Sequence, residues 1–449
     1  MRRFLPILFL AAAMHAQTPS DDAIRAILAD RIDTLHHNVG IAVGIVDANG
    51  RRFVNHGAFS VDNPRPVAGD TLFEIGSITK VFTSTILADM VQRGEVSLDD
   101  PVAKFLPPDV KVPESGGKKI TLVDLATHTS GLPRMPNNFA PRDPDNPYSD
   151  YGVDRLYAFL SGYALTRDIG EKFEYSNLGV GLLGTALARR AGMDYETLVR
   201  TRITGPLKMD STGITLSAAQ KARLAVGHNS TRAPVPSWDL TALAGAGAIR
   251  SDTVDMLAFV AAHLGYTETP LAKAMDSMTK VRRSAGGPNT EIGLAWIIQK
   301  RGDREIRWHN GGTGGYRSFV GYDPKARVGV VVLSNMSTTA GVDDIGMHLL
   351  DSTAPLAKLP AFHVHKEITL DPKVLETYVG VYQLAPGVTF AITQEGARLF
   401  AQLTGQDKFE VYPETQHDFF YKVVDAQLTF EPGALVLHQN GRDQRAKRQ

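Results

Sequence analysis

Residues 73–80, Phe-Glu-Ile-Gly-Ser-Ile-Thr-Lys, lead directly into an apolar run that extends to about Gln92. This run predicts a long helix that begins near Ser77. If Ser77 opens the helix, Lys80 lies one turn further on and shares its face, so the lysine nitrogen can reach the serine hydroxyl. Backbone N–H groups at the start of a helix can also receive a developing oxyanion. The stretch therefore predicts a nucleophilic Ser77 paired with Lys80.

The lysine of this pair is useful as a proton acceptor only if burial or nearby positive charge lowers its pKa. The same Ser-x-x-Lys spacing occurs at residues 115–118 and 277–280, where polar and charged neighbours indicate solvated segments. Apolar neighbours that supply burial surround only the first pair, and they are Ile75, Val81, Phe82, Ile86 and Leu87. The spacing alone is a weak signal, because a serine at a helix start is usually a cap.

A second motif, Tyr175-Ser176-Asn177, precedes an apolar, glycine-rich helix that begins near Leu178. A tyrosine can act as a general base if nearby cations lower its pKa, and Lys80 would be such a cation. Asn177 offers an amide that can orient a substrate carbonyl. Without a partner motif, the ordinary interpretation would be a loop with a capping asparagine.

A third motif, Trp-His-Asn-Gly-Gly-Thr-Gly-Gly-Tyr at residues 308–316, follows a predicted strand. Its glycines let a substrate backbone approach an edge strand, and its free N–H groups offer a second oxyanion donor. A phosphate cradle is excluded because no Gly-Lys-Ser/Thr follows. The candidate substrate-binding residues here are His309, Asn310, Gly311 and Gly312. Taken alone, the segment is equally compatible with a flexible hairpin loop.

Three motifs stand in a fixed order along the chain: Ser77-x-x-Lys80, Tyr175-x-Asn177 and His309-x-Gly311. In this order they resemble the class C β-lactamase and D,D-peptidase family. That serine β-lactamase-related group also contains esterases and D-aminopeptidases. Residues 121–132 and 247–256 look like the family as well, and the likeness covers roughly residues 25–350.

The resemblance implies an acyl-enzyme mechanism and a role for each candidate residue. Ser77 would attack, with Lys80 and Tyr175 handling its proton. Asn177 and the strand at His309–Gly312 would hold the substrate, and the N–H groups of Ser77 and Gly312 would form the oxyanion hole. Whether Lys80 or Tyr175 is the effective base stays open, because two such groups titrate together. No metal and no cofactor is expected.

One departure from the family pattern concerns the third motif. Many β-lactamases of the group carry Lys-Thr-Gly there, and the lysine is a permanent cation near the substrate carboxylate. His309-Asn310-Gly311 instead has an amide and a group of intermediate pKa. This weakens the case for an efficient β-lactamase, although histidine occurs there in some family peptidases, so carboxylate recognition is still open.

The order of predicted strands and helices indicates an α+β fold. Early strands at 41–47 and 52–58 and late strands between 292 and 334 bracket a mostly helical middle. This order predicts an antiparallel sheet built from both chain ends, flanked by helices and a helical region, as in the β-lactamase/transpeptidase-like fold that the resemblance implies. The catalytic domain is predicted over residues 20–355, with substrate fit set by the loops 133–151 and 230–244.

The pattern of apolar and turn-forming residues changes after a Pro-rich linker predicted at residues 356–366. Seven short apolar runs between Tyr378 and Gln439 are separated by turn signals such as Pro386-Gly387. Such spacing predicts a small all-β, barrel-like domain over residues 367–449. It resembles the lipocalin-like β domain of some family relatives. It could cover the active site, mediate assembly, bind a ligand or only stabilise the chain.

The amino-acid composition and the first 16 residues predict where the protein is located and which kinds of partner it has. The 48 basic and 48 acidic residues balance, so no global field favours nucleic acid or an anionic membrane. Residues 1–16 have the basic end, short apolar run and small residues of a secretory signal peptide. We therefore expect an exported protein, periplasmic or secreted, without a membrane anchor after cleavage. The absence of cysteine excludes thiol catalysis and disulfides. The oligomeric state stays open.

The expected function is hydrolysis of amide or ester bonds in small peptide-like substrates, namely D-amino-acid peptides, β-lactams or esters. The alternative is a slow penicillin-binding sensor or scaffold that acylates once and stops. A class A β-lactamase would need Ser-Asp-Asn, and an α/β-hydrolase would need Gly-x-Ser-x-Gly. Neither motif occurs, and the histidine pairs lack the pattern of a zinc hydrolase.

Overall fold

The computed structural model describes residues 18–362, 365–424, 426–439 and 442–449, and the predicted signal peptide lies outside these ranges. The chain forms two compact units. The first holds the residues up to Pro360 except for the loop Ser230–Ala233, and the second holds that loop and the chain from Ala361 onward. Each helix in the described ranges is too short or too polar to cross a bilayer.

The helices of the described residues are α1 Asp21–Ala29, α2 Thr79–Gln92, α3 Leu122–Ala126, α4 Val153–Gly162, α5 Asn177–Ala191, α6 Tyr195–Val199, α7 Gly205–Leu207, α8 Ala218–Lys221, α9 Ala244–Gly247, α10 Thr253–His263, α11 Ala272–Ser277, α12 Asp343–Leu350 and α13 Pro372–Glu376. The strands of these ranges are β1 Gly40–Asp47, β2 Gly50–Gly57, β3 Phe73–Glu74, β4 Glu114–Ser115, β5 Lys118–Lys119, β6 Gly227–His228, β7 Pro234–Val235, β8 Arg250–Ser251, β9 Arg283–Ser284, β10 Thr290–Ile292, β11 Ile297–Arg301, β12 Arg304–Gly312, β13 Arg317–Asp323, β14 Val328–Ser334, β15 Gly380–Ala385, β16 Val388–Glu395, β17 Arg398–Leu403, β18 Lys408–Pro413, β19 Asp418–Phe420, β20 Ala426–Glu431, β21 Ala434–Gln439 and β22 Arg442–Arg448.

The first unit is organised around an eight-stranded sheet with the order β2-β1-β14-β13-β12-β11-β10-β9. Strand β1, from the start of the chain, pairs antiparallel with β14, with Ile41 opposite Ser334. The predicted α+β class and the sheet built from early and late strands are thus confirmed. The predicted strand at 292–299 is interrupted, because residues 293–296 leave the ladder between β10 and β11.

The two faces of this sheet bury different side chains, as the two-residue period of a strand requires. On one face, Ile41, Val43 and Ile45 of β1 share a buried cluster with residues of α1 and α12. On the other face, Ala42 and Val46 belong to the large core that also contains α2 and α10. Each fully buried aliphatic side chain stabilises the fold by about 1.5–3 kcal/mol, so both helical layers are strongly held.

Helix α2 lies inside the large core. Its residues from Thr79 to Met90 are all buried, and Phe82 stacks on Phe259 of α10 at 4.5 Å between ring centroids. A helix buried on every side belongs to the core rather than to a surface. The predicted helix ending at Gln92 is confirmed, but residues Gly76–Ile78 form a 3-10 turn just before it. The segment that carries Ser77 is therefore fixed by packing around the whole helix.

The second unit is a closed barrel of strands β15 to β22, which confirms the predicted barrel-like domain. Phe390, Leu428 and Leu435 are among the side chains that fill it. The seven predicted runs correspond to strands β15 to β21, whereas β22 was not predicted. That strand, Arg442–Arg448, is charged and buries only Ala446, so its hydrophobic pattern is too weak to detect. The likeness to lipocalins stays a prediction.

Candidate active site

Ser77 lies in the 3-10 turn Gly76–Ile78, between β3 and the buried helix α2. The Nζ atom of Lys80 donates to Ser77 Oγ at 2.8 Å and to the carbonyl oxygen of Ala246 at 2.7 Å. Ala246 belongs to α9, which packs against α2 and α5. The predicted serine–lysine contact is therefore present, and a backbone carbonyl from a distant part of the chain helps to hold the lysine.

The environment of Lys80 disfavours its charged form. Burial lowers its pKa well below the usual 10.5, and the positive charge of Arg134 lowers it further. The apolar neighbours Ile75, Val81 and Phe82 are fully buried, as the sequence predicted. A lysine in such surroundings is neutral over a wider pH range and can then accept a proton.

Tyr175 lies close to this pair. The Nζ atom of Lys80 is 4.9 Å from the centroid of the Tyr175 ring. Burial raises the pKa of Tyr175 to about 12, although a hydrogen bond with Ser77 and the charge of Arg134 both act to lower it. A nearby cation, Arg134, does lower this pKa, but desolvation of the phenolate outweighs its effect, so the condition for Tyr175 to act as a base is not met. Tyr175 is thus a neutral phenol at neutral pH.

His128 packs against Tyr175. It lies in the segment 121–132, for which the sequence predicted no individual role. The two rings stack with centroids 4.5 Å apart, and His128 Nδ1 accepts a hydrogen bond from the backbone N–H of Ser176 at 3.0 Å. Burial lowers the pKa of His128 well below 6.5. A neutral Nδ1 acceptor agrees with this hydrogen bond, so His128 positions the whole Tyr175–Asn177 turn.

Asn177 begins helix α5, but Ser176 is the residue that caps it. The Ser176 hydroxyl accepts from the N–H of Gly179 at 2.8 Å and donates to the carbonyl oxygen of Pro133 at 2.6 Å. Because Ser176 provides the cap, the Asn177 side chain is available to the cleft, which it lines together with Ser77. The structure therefore places Asn177 beside the predicted nucleophile.

Strand β12, which carries the third motif, lies between two other strands of the sheet over the first part of its length. It pairs with β13 from Arg307 to Gly312, whereas its pairing with β11 ends at Trp308. Residues 309–312 consequently have a sheet partner on one side only. These four residues therefore have the free strand edge that was predicted for the motif.

The side chain of His309 faces the catalytic cluster but is almost completely buried. Its ring centroid is 6.2 Å from that of Tyr175. Burial, assisted by the charge of Lys80, lowers the pKa of His309 to about 3. The expected group of intermediate pKa is therefore a neutral imidazole, because no water reaches it to stabilise the cation. It cannot replace the permanent cation of a Lys-Thr-Gly motif at neutral pH.

Asn310 points away from the cluster, because neighbouring side chains of a strand lie on opposite faces of the sheet. Its Nδ2 atom donates to Asp343 Oδ2 of α12 at 2.5 Å. Asp343 is itself largely buried, which raises its pKa to about 6. The structure thus does not bring the Asn310 amide to Ser77, and this predicted substrate contact is assigned instead to the opposite face of the sheet.

Gly311 and Gly312 pack against the segment that precedes Ser77. A Cβ atom on Gly311 would lie 2.0 Å from the carbonyl oxygen of Ile75, and one on Gly76 would lie 2.7 Å from the backbone nitrogen of Gly312. Gly76 also has a φ of +49°, which favours glycine. These close approaches place the backbone of Gly312 against Gly76, the residue before Ser77, so the strand adjoins the site through its backbone.

We expect the Gly311→Ala substitution to lower the free energy of unfolding by about 1–3 kcal/mol, as overpacking of a core does. The variant should also lose activity. The new methyl group would push β12 away from Ile75 and displace Gly312 from Ser77. Thermal unfolding and kcat/KM measure the two effects. Gly162→Ala is the matched control, because no atom lies within 4 Å of its Cβ position. Unchanged stability and activity in Gly311→Ala would contradict this packing.

A narrow cleft of about 30 Å³ opens over Ser77, with Asn177, Ala246, Gly312 and Thr313 in its lining. Its other walls are Tyr148, Trp238 and Leu240, which come from the two loops predicted to set substrate fit. The Tyr148 and Trp238 rings lie 5.3 Å apart. These two aromatic rings give the cleft a wall that suits an apolar face of a substrate.

The part of the cleft wall formed by Trp238 is held by the buried ion pair Glu74–Arg250, which was not predicted from the sequence. Glu74 Oε1 accepts from the Trp238 N–H at 3.0 Å and from Arg250 at 3.2 Å, and Arg250 also donates to the Trp238 carbonyl oxygen at 2.8 Å. Burial raises the pKa of Glu74. Because Glu74 is three residues before Ser77, the pair connects the wall of the cleft to the nucleophile segment.

The fold and the contact between Ser77 and the buried Lys80 define a serine hydrolase with a Ser-x-x-Lys active site. The chain belongs to the β-lactamase family, whose family model matches residues 24–353. Residues 364–436 match a second model, described as a domain of unknown function (DUF3471).

The relatives found by comparison include both peptidases and β-lactamases. The chain is 32% identical over 311 residues to the D-alanyl-D-alanine-carboxypeptidase/endopeptidase AmpH of Escherichia coli strain K12, which covers 66% of this chain and 80% of that protein. It is 26% identical over 437 residues to penicillin-binding protein 4* of Bacillus subtilis strain 168, covering 90% and 94% of the two chains. A solved β-lactamase/D-alanine carboxypeptidase from Yersinia pestis is 29% identical and matches with a TM-score of 0.64, covering 76% of this chain and all of that one (100%).

Proposed function

We propose that this chain is an exported hydrolase that forms an acyl-enzyme on Ser77 from small peptide-like substrates. The observation that carries the proposal is the 2.8 Å contact between Lys80 Nζ and Ser77 Oγ, made by a lysine whose pKa burial has lowered. A neutral Lys80 accepts the hydroxyl proton while Ser77 Oγ attacks the substrate carbonyl carbon. The C–N or C–O bond then breaks, and water later hydrolyses the acyl-enzyme.

Other residues of the cluster have supporting roles in this proposal. Tyr175 is a neutral phenol, because its pKa is about 12; it donates its proton to the leaving group and recovers one from the ammonium of Lys80, whose Nζ atom lies 4.9 Å from the centroid of its ring. The N–H groups of Ser77 and Gly312 receive the oxyanion, a contribution that typically amounts to about 2.7–4 kcal/mol per donor. Asn177, which lines the cleft, orients the carbonyl of the substrate.

Among the substrate classes of the family, we propose D-amino-acid peptides as the principal one. The relative with 32% identity is named a D-alanyl-D-alanine-carboxypeptidase/endopeptidase. The neutral, buried His309 occupies the position where many β-lactamases of the group have a lysine, which argues against efficient β-lactam turnover. Residues 1–16 support action outside the cytoplasm. The predicted bounds of the catalytic domain, linker and barrel domain belong to the same proposal.

The experiment is intact-mass measurement after incubating the protein with a penicillin, a peptide ending in D-Ala-D-Ala and a short-chain ester, together with product assays. We expect a covalent adduct on Ser77 and products from many turnovers, with the peptide preferred. An adduct without turnover would identify a penicillin-binding sensor instead. No adduct and no product from any of the three would refute the proposed hydrolase.

A further inference from the structure

The catalytic cluster contains several basic residues whose charged forms are disfavoured by burial. Burial lowers the pKa of Lys80, His128 and His309. An arginine, in contrast, keeps its charge throughout the accessible pH range. Arg134 acts on each of Lys80, His128 and Tyr175 through its charge, so this arginine contributes a positive field to the site.

The main chain at Arg134 is fixed against the Tyr175–Asn177 turn. The Arg134 carbonyl oxygen accepts from the N–H groups of Asn177 at 3.0 Å and Leu178 at 3.3 Å. The preceding carbonyl, of Pro133, accepts from the Ser176 hydroxyl at 2.6 Å. The Cα atom of Arg134 is therefore held in a defined place relative to Asn177 and Tyr175.

The guanidinium group of Arg134 lies over the ring of Tyr175. Its central carbon is 5.2 Å from the centroid of the Tyr175 ring, and the residue is exposed. Within the part of the chain that the structure describes, this guanidinium makes no hydrogen bond and no ion pair. Its donors are therefore free to bind an anion from solution.

Neighbouring charges do not satisfy this arginine or compete with it. Glu174, next to Tyr175, pairs with Arg167, and Asp239 beside the Trp238 wall pairs with Arg250. Arg317, near Gly312, donates to three backbone carbonyl groups and interacts with Asp343. Arg134 is consequently the cation in this group whose hydrogen-bonding capacity is unused.

We propose that Arg134 binds a free carboxylate on the leaving group of the substrate, so that the chain selects substrates in which one carboxyl-terminal residue is released. This rests on the proposed function. In such a substrate the carboxylate carbon is about 3–4 Å from the scissile carbonyl carbon. Its binding group must therefore lie beside the residues that handle the proton, and Arg134 stands over Tyr175. Arginine suits this task because its donors form a planar fork that matches a carboxylate.

The test compares two pairs of substrates that differ only in this charge. The first pair is an N-acylated peptide ending in D-Ala-D-Ala and its terminal carboxamide, and the second is an N-acylglycyl thioester of thioglycolate and its methyl ester. We expect the wild type to prefer the free acid of each cleaved pair. In Arg134→Gln this preference in kcat/KM should fall by about ten- to a hundredfold, mainly through KM, as expected for loss of a charged hydrogen bond. Arg134→Lys should lie in between, because an ammonium is a point charge.

The preference ratio is insensitive to the amount of folded enzyme, so a poorly folding variant does not mimic the effect. Arg25→Gln is the matched control, because Arg25 is a surface cation that pairs with Asp22 on α1; it should keep the wild-type ratio. Equal cleavage of acid and neutral substrates by the wild type would overturn the Arg134 inference and leave the hydrolase intact. So would an equal loss on both in Arg134→Gln. No cleavage and no Ser77 adduct with either pair would refute the proposed function and this inference with it.

Discussion

Replacing Ser77 with alanine is expected to lower kcat/KM by about 10⁴-fold or more, as for other serine nucleophiles. It should also abolish every covalent adduct. Only the Oγ atom that Lys80 contacts is removed, whereas the packing of α2 around Phe82 is unchanged. The fold should therefore persist. Product assays and intact mass measure the first two effects, and thermal unfolding measures the third.

Ser84→Ala is the matched control for this prediction. Ser84 lies in the same helix and is fully buried, and its hydroxyl makes no hydrogen bond with the described residues. Removing an unsatisfied buried hydroxyl is close to neutral for stability. We expect wild-type activity from Ser84→Ala. Substantial turnover by Ser77→Ala, with the protein folded, would show that another residue is the nucleophile.

The Lys80→Met variant is expected to lose about 10²- to 10⁴-fold in kcat/KM, the usual contribution of a positioned general base. Methionine keeps an unbranched side chain in the buried position but has no proton acceptor for Ser77. Lys280→Met is the matched control, because Lys280 occupies the same place in a Ser-x-x-Lys sequence. Its side chain is 70% exposed and pairs with Asp276, so that variant should keep full activity. Full activity in Lys80→Met would reject Lys80 as the base.

The pH dependence of kcat/KM separates Lys80 from Tyr175 as the base. Activity should rise with pH as Lys80 loses its proton and should level off well below 10.5, the ordinary lysine pKa, because burial lowers that of Lys80. A Tyr175 phenolate would instead make activity rise towards its pKa of about 12. Tyr175→Phe should keep the position of the acid limb at a lower rate. A wild-type profile still rising above pH 10.5 contradicts the assignment to Lys80.

Local patterns in the sequence predicted most of the elements that position the site. The apolar run after Ser77 predicted a buried helix, and the early strands predicted at 41–47 and 52–58 correspond to β1 and β2, in which Asp47 pairs with Gly50. These signals are readable because the hydrophobic spacing of a helix or a strand is written in consecutive residues. Strand β22 lacks that spacing, and its place in the barrel comes from its pairing with β21.

The sequence motifs predicted which residues form the site. They did not predict which of those side chains are charged and which are neutral. The spacing of Ser77 and Lys80 within one helical turn made their contact predictable from sequence. The pKa directions of Tyr175 and His309 were not, because desolvation depends on residues from other parts of the chain that exclude water from them. The direction of the Asn310 side chain likewise depended on strand register, which sequence alone does not specify.

By itself, the sequence determined the fold class, the barrel and the identity of the serine, lysine and tyrosine that form the cluster. Only the tertiary structure decided which basic groups keep their charge and which backbone atoms meet Ser77. It also brought Arg134 over Tyr175, Glu74 onto Arg250 and Gly312 against Gly76. The physical reason is that helices and strands arise from neighbouring residues, whereas burial, charge and close approach arise between residues far apart in the chain.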